Sequence, residues 1–130
     1  MTMDRRKAGQ ISEAESIVMR VIWQKEAATT DDIIAALAHK EQWQGTTVKT
    51  LLSRLLKKGA VRARKDGRRY IYTAVLTHEQ WLATESRGFL DRFFDGQVAP
   101  LVSYFSRQRK LSKKDVEDLK RVIEGLEDER

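Results

Sequence analysis

The segment 45–59 constrains the fold of this chain more than any other, because it has the pattern of an amphipathic helix with two chemically different faces. Its apolar residues recur at spacings of three and four positions, which places them on one side of a helix: Val48, Leu51, Leu52 and Leu55. The other positions hold mainly short hydroxyl residues and long cations, without an acid. Such side chains can contact base edges and phosphates, although an ordinary solvated surface helix can carry the same pattern.

Positive charge is concentrated in the same region. The chain has a net charge of +6, but residues 45–72 alone contain nine Lys and Arg residues against one acid, Asp66, while the flanking segments are slightly acidic. A cationic block confined to one stretch is typical of a surface that binds a polyanion. We therefore expect the central segment and the residues after it to contact nucleic acid.

Two helices are predicted before the central segment. The residues Ser12–Glu15 have the S-x-x-E spacing of a capping box, and the apolar pattern after them predicts a helix over residues 12–25. The predicted apolar face of this helix consists of Ala14, Ile17, Val18, Val21 and Ile22. Residues 27–28 form a connector that could be a minimal edge strand. Thr29 or Thr30 can then cap a second helix.

A β-hairpin is predicted directly after the central helix. Residues 60–64 and 69–75 alternate in polarity, and Asp66-Gly67 between them is a tight-turn signal. Three helices followed by a hairpin, with cations on the third helix and on the hairpin, are typical of a winged helix-turn-helix, whose third helix enters the major groove of DNA. The predicted DNA-contact residues are Thr46, Thr47, Lys49, Thr50, Ser53, Arg54, Lys57, Arg64, Lys65, Arg68 and Arg69.

The last part of the chain is predicted to form three helices, beginning near Thr77, Val98 and Ser112. Their apolar residues need a partner surface, and those of the last helix have the spacing of a coiled-coil seam. These helices could fold back on the N-terminal part, but we favour a homodimer that presents two recognition helices to the half-sites of a palindromic operator. The expected dimer-interface residues are Phe89, Phe93, Leu101, Phe105, Val116, Leu119, Ile123 and Leu126.

The sequence thus predicts a mainly α (α+β) fold with three parts. Residues 1–10 are expected to form a flexible arm, residues 11–76 a winged-helix DNA-binding domain, and residues 77–130 a helical dimerisation domain. The chain has no cysteine, so disulfides and thiolate metal sites are excluded, and we expect no metal and no other cofactor. It shows neither an apolar run of about 20 residues nor a signal-peptide pattern, so we expect a cytoplasmic protein without a membrane partner.

Other functional classes are less compatible with the sequence. The two histidines, His39 and His78, are expected to be solvated residues at helix ends, and no catalytic motif accompanies them, so we do not expect an enzyme. RNA binding would need an exposed aromatic platform, for which Tyr70 and Tyr72 are the only candidates, and strand packing explains these equally well. The main alternative is a winged-helix module that contacts an acidic protein partner.

Residues 10–126 resemble the BlaI/MecI/CopY family of repressors, the penicillinase-repressor type. The most specific similarities, in order and spacing, are Ile11–Glu15 with Val18, Met19 and Trp23, then Thr46–Leu51 with Arg54, Leu55 and Lys57–Gly59, then Leu101, Val102 and Phe105 before Leu111 and Ser112.

This resemblance implies a homodimeric winged-helix repressor on a palindromic operator, with Thr46, Thr47, Thr50 and Arg54 at the DNA and Lys49 close to the backbone. In the penicillinase branch a protease ends repression by cutting the dimerisation region, and the matching bond here is Tyr104–Phe105.

Two departures from the family separate this chain from its branches. The family usually has Asn before the bond that is cut, whereas this chain has Tyr104, so the same regulatory protease is not implied. The copper-responsive branch uses a C-terminal cysteine cluster, which this chain lacks.

Overall fold

The computed structural model describes residues 10–128, so the arm predicted for residues 1–10 lies outside the described residues except for Gln10. Within this range the chain forms six helices and three strands. They are α1 (Glu13–Lys25), β1 (Ala27–Thr29), α2 (Thr30–Lys40), α3 (Gly45–Lys58), β2 (Val61–Asp66), β3 (Arg69–Ala74), α4 (His78–Phe94), α5 (Val98–Arg107) and α6 (Lys113–Asp128). The chain divides into two compact units, Met1–Thr84 and Glu85–Arg130, with the division inside α4. No helix within residues 10–128 is long and apolar enough to span a membrane.

The first unit is a three-helix core closed by a small antiparallel sheet of strand order β1-β3-β2. The predicted minimal strand is confirmed: β1 occupies an edge of the sheet, and its buried Ala28 pairs with Tyr72 of β3. On the other side of β3, Ala63 of β2 pairs with the same tyrosine. Because residues that lie directly opposite in a sheet share a face, Ala28, Ala63 and Tyr72 together turn one face of the sheet to the core.

The central helix α3 has the two faces that the sequence predicts. Its predicted apolar stripe is fully inside the core: Val48, Leu51, Leu52 and Leu55. Gly59 ends the helix in the left-handed conformation, at φ 78°, which glycine adopts without steric cost. At the other end, a Cβ on Gly45 would lie 3.4 Å from Ile34 Cδ1, an ordinary van der Waals distance, so α2 packs against α3 at this position.

The first helix α1 begins with the predicted capping box. The Glu15 amide donates to Ser12 Oγ at 3.0 Å, and the Ser12 amide donates to Glu15 Oε1 at 2.6 Å. The predicted apolar face was incomplete, because Met19 is fully buried whereas Ala14 and Ile17 are only partly buried. The buried face of α1 is therefore rotated slightly about the helix axis relative to the predicted face.

A buried ion pair joins α1 to the end of α3. Lys58 Nζ donates to Glu15 Oε1 at 2.6 Å, and only 1% of the Glu15 side chain is exposed. Burial works to raise the pKa of Glu15, but the hydrogen bonds from Lys58 and Ser12 and the Lys58 charge outweigh it, so the pKa is lowered overall. Glu15 therefore links the beginning of α1 to the last turn of α3, 43 residues away.

The second unit contains the end of α4 together with α5 and α6. Asp95 and Gly96, both at positive φ, end α4, and Pro100 lies in the first turn of α5, where its ring is tolerated. The α6 helix begins with a reciprocal cap, since the Asp115 amide donates to Ser112 Oγ and the Ser112 amide donates to Asp115 Oδ2, each at 3.0 Å. No described residue of α4, α5 or α6 is fully buried, so this unit has no closed core of its own.

Replacing Glu15 by Gln should lower the free energy of unfolding of the first unit by about 1.5–3 kcal/mol at neutral pH, because a charge-assisted hydrogen bond to Lys58 is lost. The stability that depends on the Glu15 charge is complete above the ordinary carboxylate pKa and disappears as the pH falls through the lowered, folded-state value. The variant should therefore lose less stability on acidification than the parent protein does.

Urea unfolding followed by tryptophan fluorescence at a series of pH values measures this effect, since all three tryptophans lie in the first unit. Glu13→Gln is the matched control, because Glu13 is an exposed acid in the same helical turn. The pKa of Asp32 is also lowered, by hydrogen bonds from Thr29, so both variants keep some acid sensitivity. Identical stability curves for the two variants would contradict the importance of the Glu15–Lys58 pair.

Candidate nucleic-acid interface

The outward face of α3 brings the central predicted contact residues together. Thr46, Thr47, Thr50 and Arg54 are exposed and, with the edge of Leu51, line one shallow concavity. The concavity lies opposite the buried stripe, because α3 places its apolar residues on one side and its hydroxyls and cations on the other. Its lining residues carry hydroxyl and guanidinium groups, and none of them is a carboxylate.

Helical spacing orders the predicted residues across this face. Thr46, Thr50, Ser53 and Lys57 follow one another at intervals of four, three and four residues and form the middle of the exposed stripe. Thr47 and Arg54 lie along one edge of it, and Lys49 lies along the other edge. All seven of these side chains are exposed.

The Thr50 hydroxyl is already engaged within the helix. Thr50 Oγ1 donates to the carbonyl oxygen of Thr46 at 2.9 Å. Its proton is therefore directed at the backbone, and the methyl group and the oxygen lone pairs remain for other contacts. A thymine methyl group or an amino group on a base edge would be a suitable partner for what remains.

The ion pair with Glu15 takes one member of the cationic block away from this surface. Lys58 belongs to the block by sequence, but its Nζ is directed to Glu15 and to the carbonyl oxygen of Gln10, at 3.2 Å. This pairing was not predicted from the sequence. A single acid in an S-x-x-E motif is sufficient for capping, and nothing in the spacing indicates a partner 43 residues away.

The predicted hairpin is present, with a shorter turn than expected. Asp66 is the last residue of β2 and pairs with Arg69, so the loop consists of Gly67 and Arg68 alone. Gly67 has a φ of 64°, the positive value that the tight turn was predicted to need. Arg68 therefore lies at the extreme tip of the hairpin, where it is exposed.

The strand register separates the hairpin cations onto two faces. Lys65 lies opposite Tyr70, on the face that continues towards Ala63 and Tyr72 and the core. Arg64 and Arg69 belong to the other face of the sheet. The hairpin is therefore cationic on both sides and at its tip.

One of these cations is partly neutralised. Arg69 Nη2 lies 3.3 Å from Asp66 Oδ2, across the base of the turn. Both side chains are half or more exposed, and such a pair contributes little to stability and is easily exchanged for another partner. Arg69 can therefore leave Asp66 for a phosphate at small cost.

The predicted dimer-interface residues form a second surface, in the second unit. Six of the eight are exposed, and they include Phe93 at 58% and Leu126 at 55%. Leu101 and Leu119 are half-buried in a groove between α5 and α6, which Val122 and Leu111 also line. The Tyr104–Phe105 bond lies inside α5, and both of its side chains are exposed.

The chain has the fold of a winged helix-turn-helix protein, with three helices, a three-stranded sheet with a cationic hairpin, and an exposed polar face on the third helix. The family model described as penicillinase repressor matches residues 11–125. The chain belongs to the penicillinase repressor family, which confirms the resemblance found in the sequence.

Relatives of known identity match almost the whole chain. A penicillinase repressor of Bacillus licheniformis is 34% identical over 119 residues, covering 92% of this chain and 93% of the relative. The methicillin resistance regulatory protein MecI of Staphylococcus aureus (strain N315) is 30% identical over 117 residues, covering 90% of this chain and 95% of that protein.

Two solved structures match the N-terminal part. The solution structure of the DNA-binding domain of the repressor BlaI aligns with a TM-score of 0.53 and 38% identity, over 56% of this chain and 89% of that domain. The B. licheniformis BlaI monomeric form in complex with the blaP half-operator aligns with a TM-score of 0.50 and 39% identity, over 55% and 87% of the two chains. Both confirm the predicted winged-helix fold.

Gly67→Ala should destabilise the hairpin by about 1–2 kcal/mol, because only the backbone conformation opposes a Cβ at this position and nothing lies within 4 Å of it. Thermal unfolding at fixed protein concentration measures the loss. Gly125→Ala is the matched control, since Gly125 lies within α6 with equally open surroundings, and there alanine should stabilise the helix slightly. Equal effects of the two substitutions would show that the turn does not depend on the glycine.

Proposed function

We propose that this protein is a transcriptional repressor that binds a palindromic DNA operator as a homodimer. Residues 11–76 form its DNA-binding domain, and residues 77–130 form its dimerisation domain. A signal that acts on the dimerisation domain releases it from the operator. The observation that carries this proposal is the exposed face of α3, which gathers Thr46, Thr47, Thr50 and Arg54 in one concavity beside a cationic hairpin. The BlaI structure in complex with a half-operator has the same fold and supports duplex DNA as the ligand.

Affinity comes mainly from the cations around this face. Lys49, Lys57, Arg64, Lys65, Arg68 and Arg69 are all exposed, and each phosphate that they neutralise releases condensed counterions. Binding should therefore weaken by about 0.9 log units per log unit of salt for each phosphate contacted. If the protein does not bind random duplex DNA at low salt and binds an acidic protein instead, the proposal is overturned.

Base specificity comes from the few side chains at the concavity itself. Arg54 can donate two parallel hydrogen bonds to the O6 and N7 atoms of guanine, the commonest base-specific contact in the major groove. Thr50 offers its methyl group, because its hydroxyl proton is bonded to the Thr46 carbonyl. Ser53 and the remaining threonines are short enough to permit close approach of the helix to the major groove.

Dimerisation explains the state of the second unit. The side chains of Phe93, Ile123 and Leu126 are more than half exposed, so these helices do not bury enough apolar surface to be stable alone. A second copy of the chain can cover these side chains. A dimer also links two half-site contacts, so that the second contact forms at a high effective concentration. Opening the dimer therefore lowers operator occupancy without any change at α3.

Release by proteolysis would require a local change of conformation. Proteases bind their substrates in extended form, whereas the Tyr104–Phe105 bond lies within the regular helix α5. The bond becomes accessible only if α5 unwinds. The proposed signal, from a regulatory protease or from another source, therefore acts on α5, which has to unwind and which also contributes to the dimer contacts.

Arg54→Ala should weaken operator binding by about 1–3 kcal/mol and relax the preference for one base pair per half-site. Arg68→Ala is the matched control, because an arginine at the hairpin tip should contact phosphate and its loss should weaken specific and random duplexes nearly equally. Fluorescence anisotropy with operator and scrambled duplexes at several salt concentrations separates the two effects. A uniform loss for Arg54→Ala would assign that residue to phosphate instead.

Ile123→Asp should dissociate the homodimer, because it places a charge in the apolar surface of α6 at a side chain that is 54% exposed and therefore unnecessary for the unit's own packing. Leu119 is a less suitable position, since it is half-buried against α5. Affinity for the full operator should fall at least about 100-fold towards that of a half-site.

Arg121→Asp is the control for this substitution, because it introduces the same acid on the opposite side of α6. There it replaces an exposed ion pair with Asp118 by an exposed like-charge pair, which costs only about 0.2–0.5 kcal/mol. Sedimentation velocity and operator titration report the two outcomes together. A dimer that survives Ile123→Asp would refute the assignment of this surface.

A further inference from the structure

Three aromatic rings form a cluster on the first unit, away from the exposed face of α3. The Trp23 ring centroid lies 4.9 Å from that of His78 and 5.4 Å from that of Trp81, and His78 stacks on Trp81 at 5.9 Å. Trp23 comes from α1, and the other two come from the first turn of α4. His78 is exposed at the beginning of a helix, as predicted from the sequence, and its ring also joins this cluster.

A groove next to the cluster is rich in hydrogen-bond donors. Arg20, Gln24 and Lys40 line it together with the three rings and Leu82, and no carboxylate is among these lining residues of the described chain. The Arg20 guanidinium carbon lies 5.8 Å from the centre of the Trp81 ring, within range of a cation–π contact. The groove therefore combines aromatic faces with two fixed positive charges.

One buried donor in this groove has no acceptor. Trp23 Nε1 donates to the carbonyl oxygen of Leu76 at 2.9 Å, whereas Trp81 Nε1 is buried and has no hydrogen-bond partner within residues 10–128. A buried N–H without an acceptor is costly, and the exceptions in folded proteins call for a specific cause. The Trp81 Nε1 atom is also closed to solvent, so the ring has to turn slightly before an oxygen atom of a ligand in the groove can reach it, and that turn breaks no hydrogen bond of this atom.

We propose that this groove binds a small aromatic carboxylate. The ring of the ligand packs on the tryptophan and histidine faces, and its carboxylate accepts hydrogen bonds from Trp81 Nε1 and from the cations Arg20 and Lys40. The volume of the groove is about 620 Å³, which is ample for a single-ring ligand. A neutral ring would leave the cations unpaired, and an aliphatic acid would forgo the stacking on the rings.

The position of Lys40 connects this groove to the DNA-reading helix. Lys40 is the last residue of α2, and the turn that follows it leads directly to α3. This turn contains Gln42 at a φ of 58°, a backbone conformation that residues other than glycine seldom adopt. The groove thus lies at the end of α2 that leads into α3.

Nuclear magnetic resonance of the indole N–H groups tests the proposal directly, with benzoate as the probe and no DNA present. The chain has three tryptophans, and Trp43 lies outside the groove and serves as an internal control. The Trp23 and Trp81 signals should shift and saturate with a dissociation constant on the order of 1 mM or tighter, while the Trp43 signal stays in place. Cyclohexanecarboxylate and benzamide at equal concentration separate the contributions of the ring and the charge, and each should bind at least about tenfold more weakly.

Substitutions identify the cations involved. The double variant Arg20→Gln with Lys40→Gln should weaken benzoate binding at least about tenfold, whereas Lys25→Gln, at an exposed cation of α1 outside the groove, should leave it within about twofold. No saturable shift in the parent protein would overturn the proposal. An equal shift of Trp43, equal binding of cyclohexanecarboxylate, or unchanged binding by the double variant would overturn it as well. Because the assay contains no DNA, none of these results bears on the repressor function.

Discussion

The structure depends above all on the burial of one side of α3. Val48, Leu51, Leu52 and Leu55 are fully inside the core formed with α1, α2 and the sheet, and each such side chain contributes about 1.5–3 kcal/mol relative to an exposed one. With that side fixed, the rotation of the helix about its own axis is fixed too, and the threonines and Arg54 have to face outward. The outward orientation of these side chains is thus a consequence of core packing, and the Glu15–Lys58 pair holds the end of the same helix from the α1 side.

The two units differ in how they are stabilised. The first unit has a closed core that includes Met19, Ile22 and Ile33, whereas the helices of the second unit carry large apolar side chains that are half or more exposed. In the proposed function a second copy of the chain covers these side chains, so the folding of the second unit and dimerisation are one process. A signal that unwinds α5 would act on both at once.

Much of this architecture follows from local sequence rules, and the exceptions share one cause. Spacings of a few residues define the apolar stripe on α3, the hairpin glycine and the helix caps. The structure confirms the caps at Ser12, Thr29, Thr77 and Ser112. The Glu15–Lys58 pair and the cluster of Trp23 with His78 and Trp81 depend on residues that are distant in sequence. Only the three-dimensional packing brings these together, so no periodicity could indicate them. The role of each DNA-contact residue stays a prediction, because the fold places the side chains but does not show which of them reach a base.

Selection of bound duplexes from a random pool tests the central claim most directly. If α3 reads the major groove and the second unit joins two copies, the enriched sequences should contain two inverted half-sites with centres about one helical turn of DNA apart. Recovery of a single half-site without symmetry would contradict the dimeric arrangement. Absence of any enrichment, together with indifference to duplex DNA at low salt, would contradict the account of α3 as a DNA-reading helix.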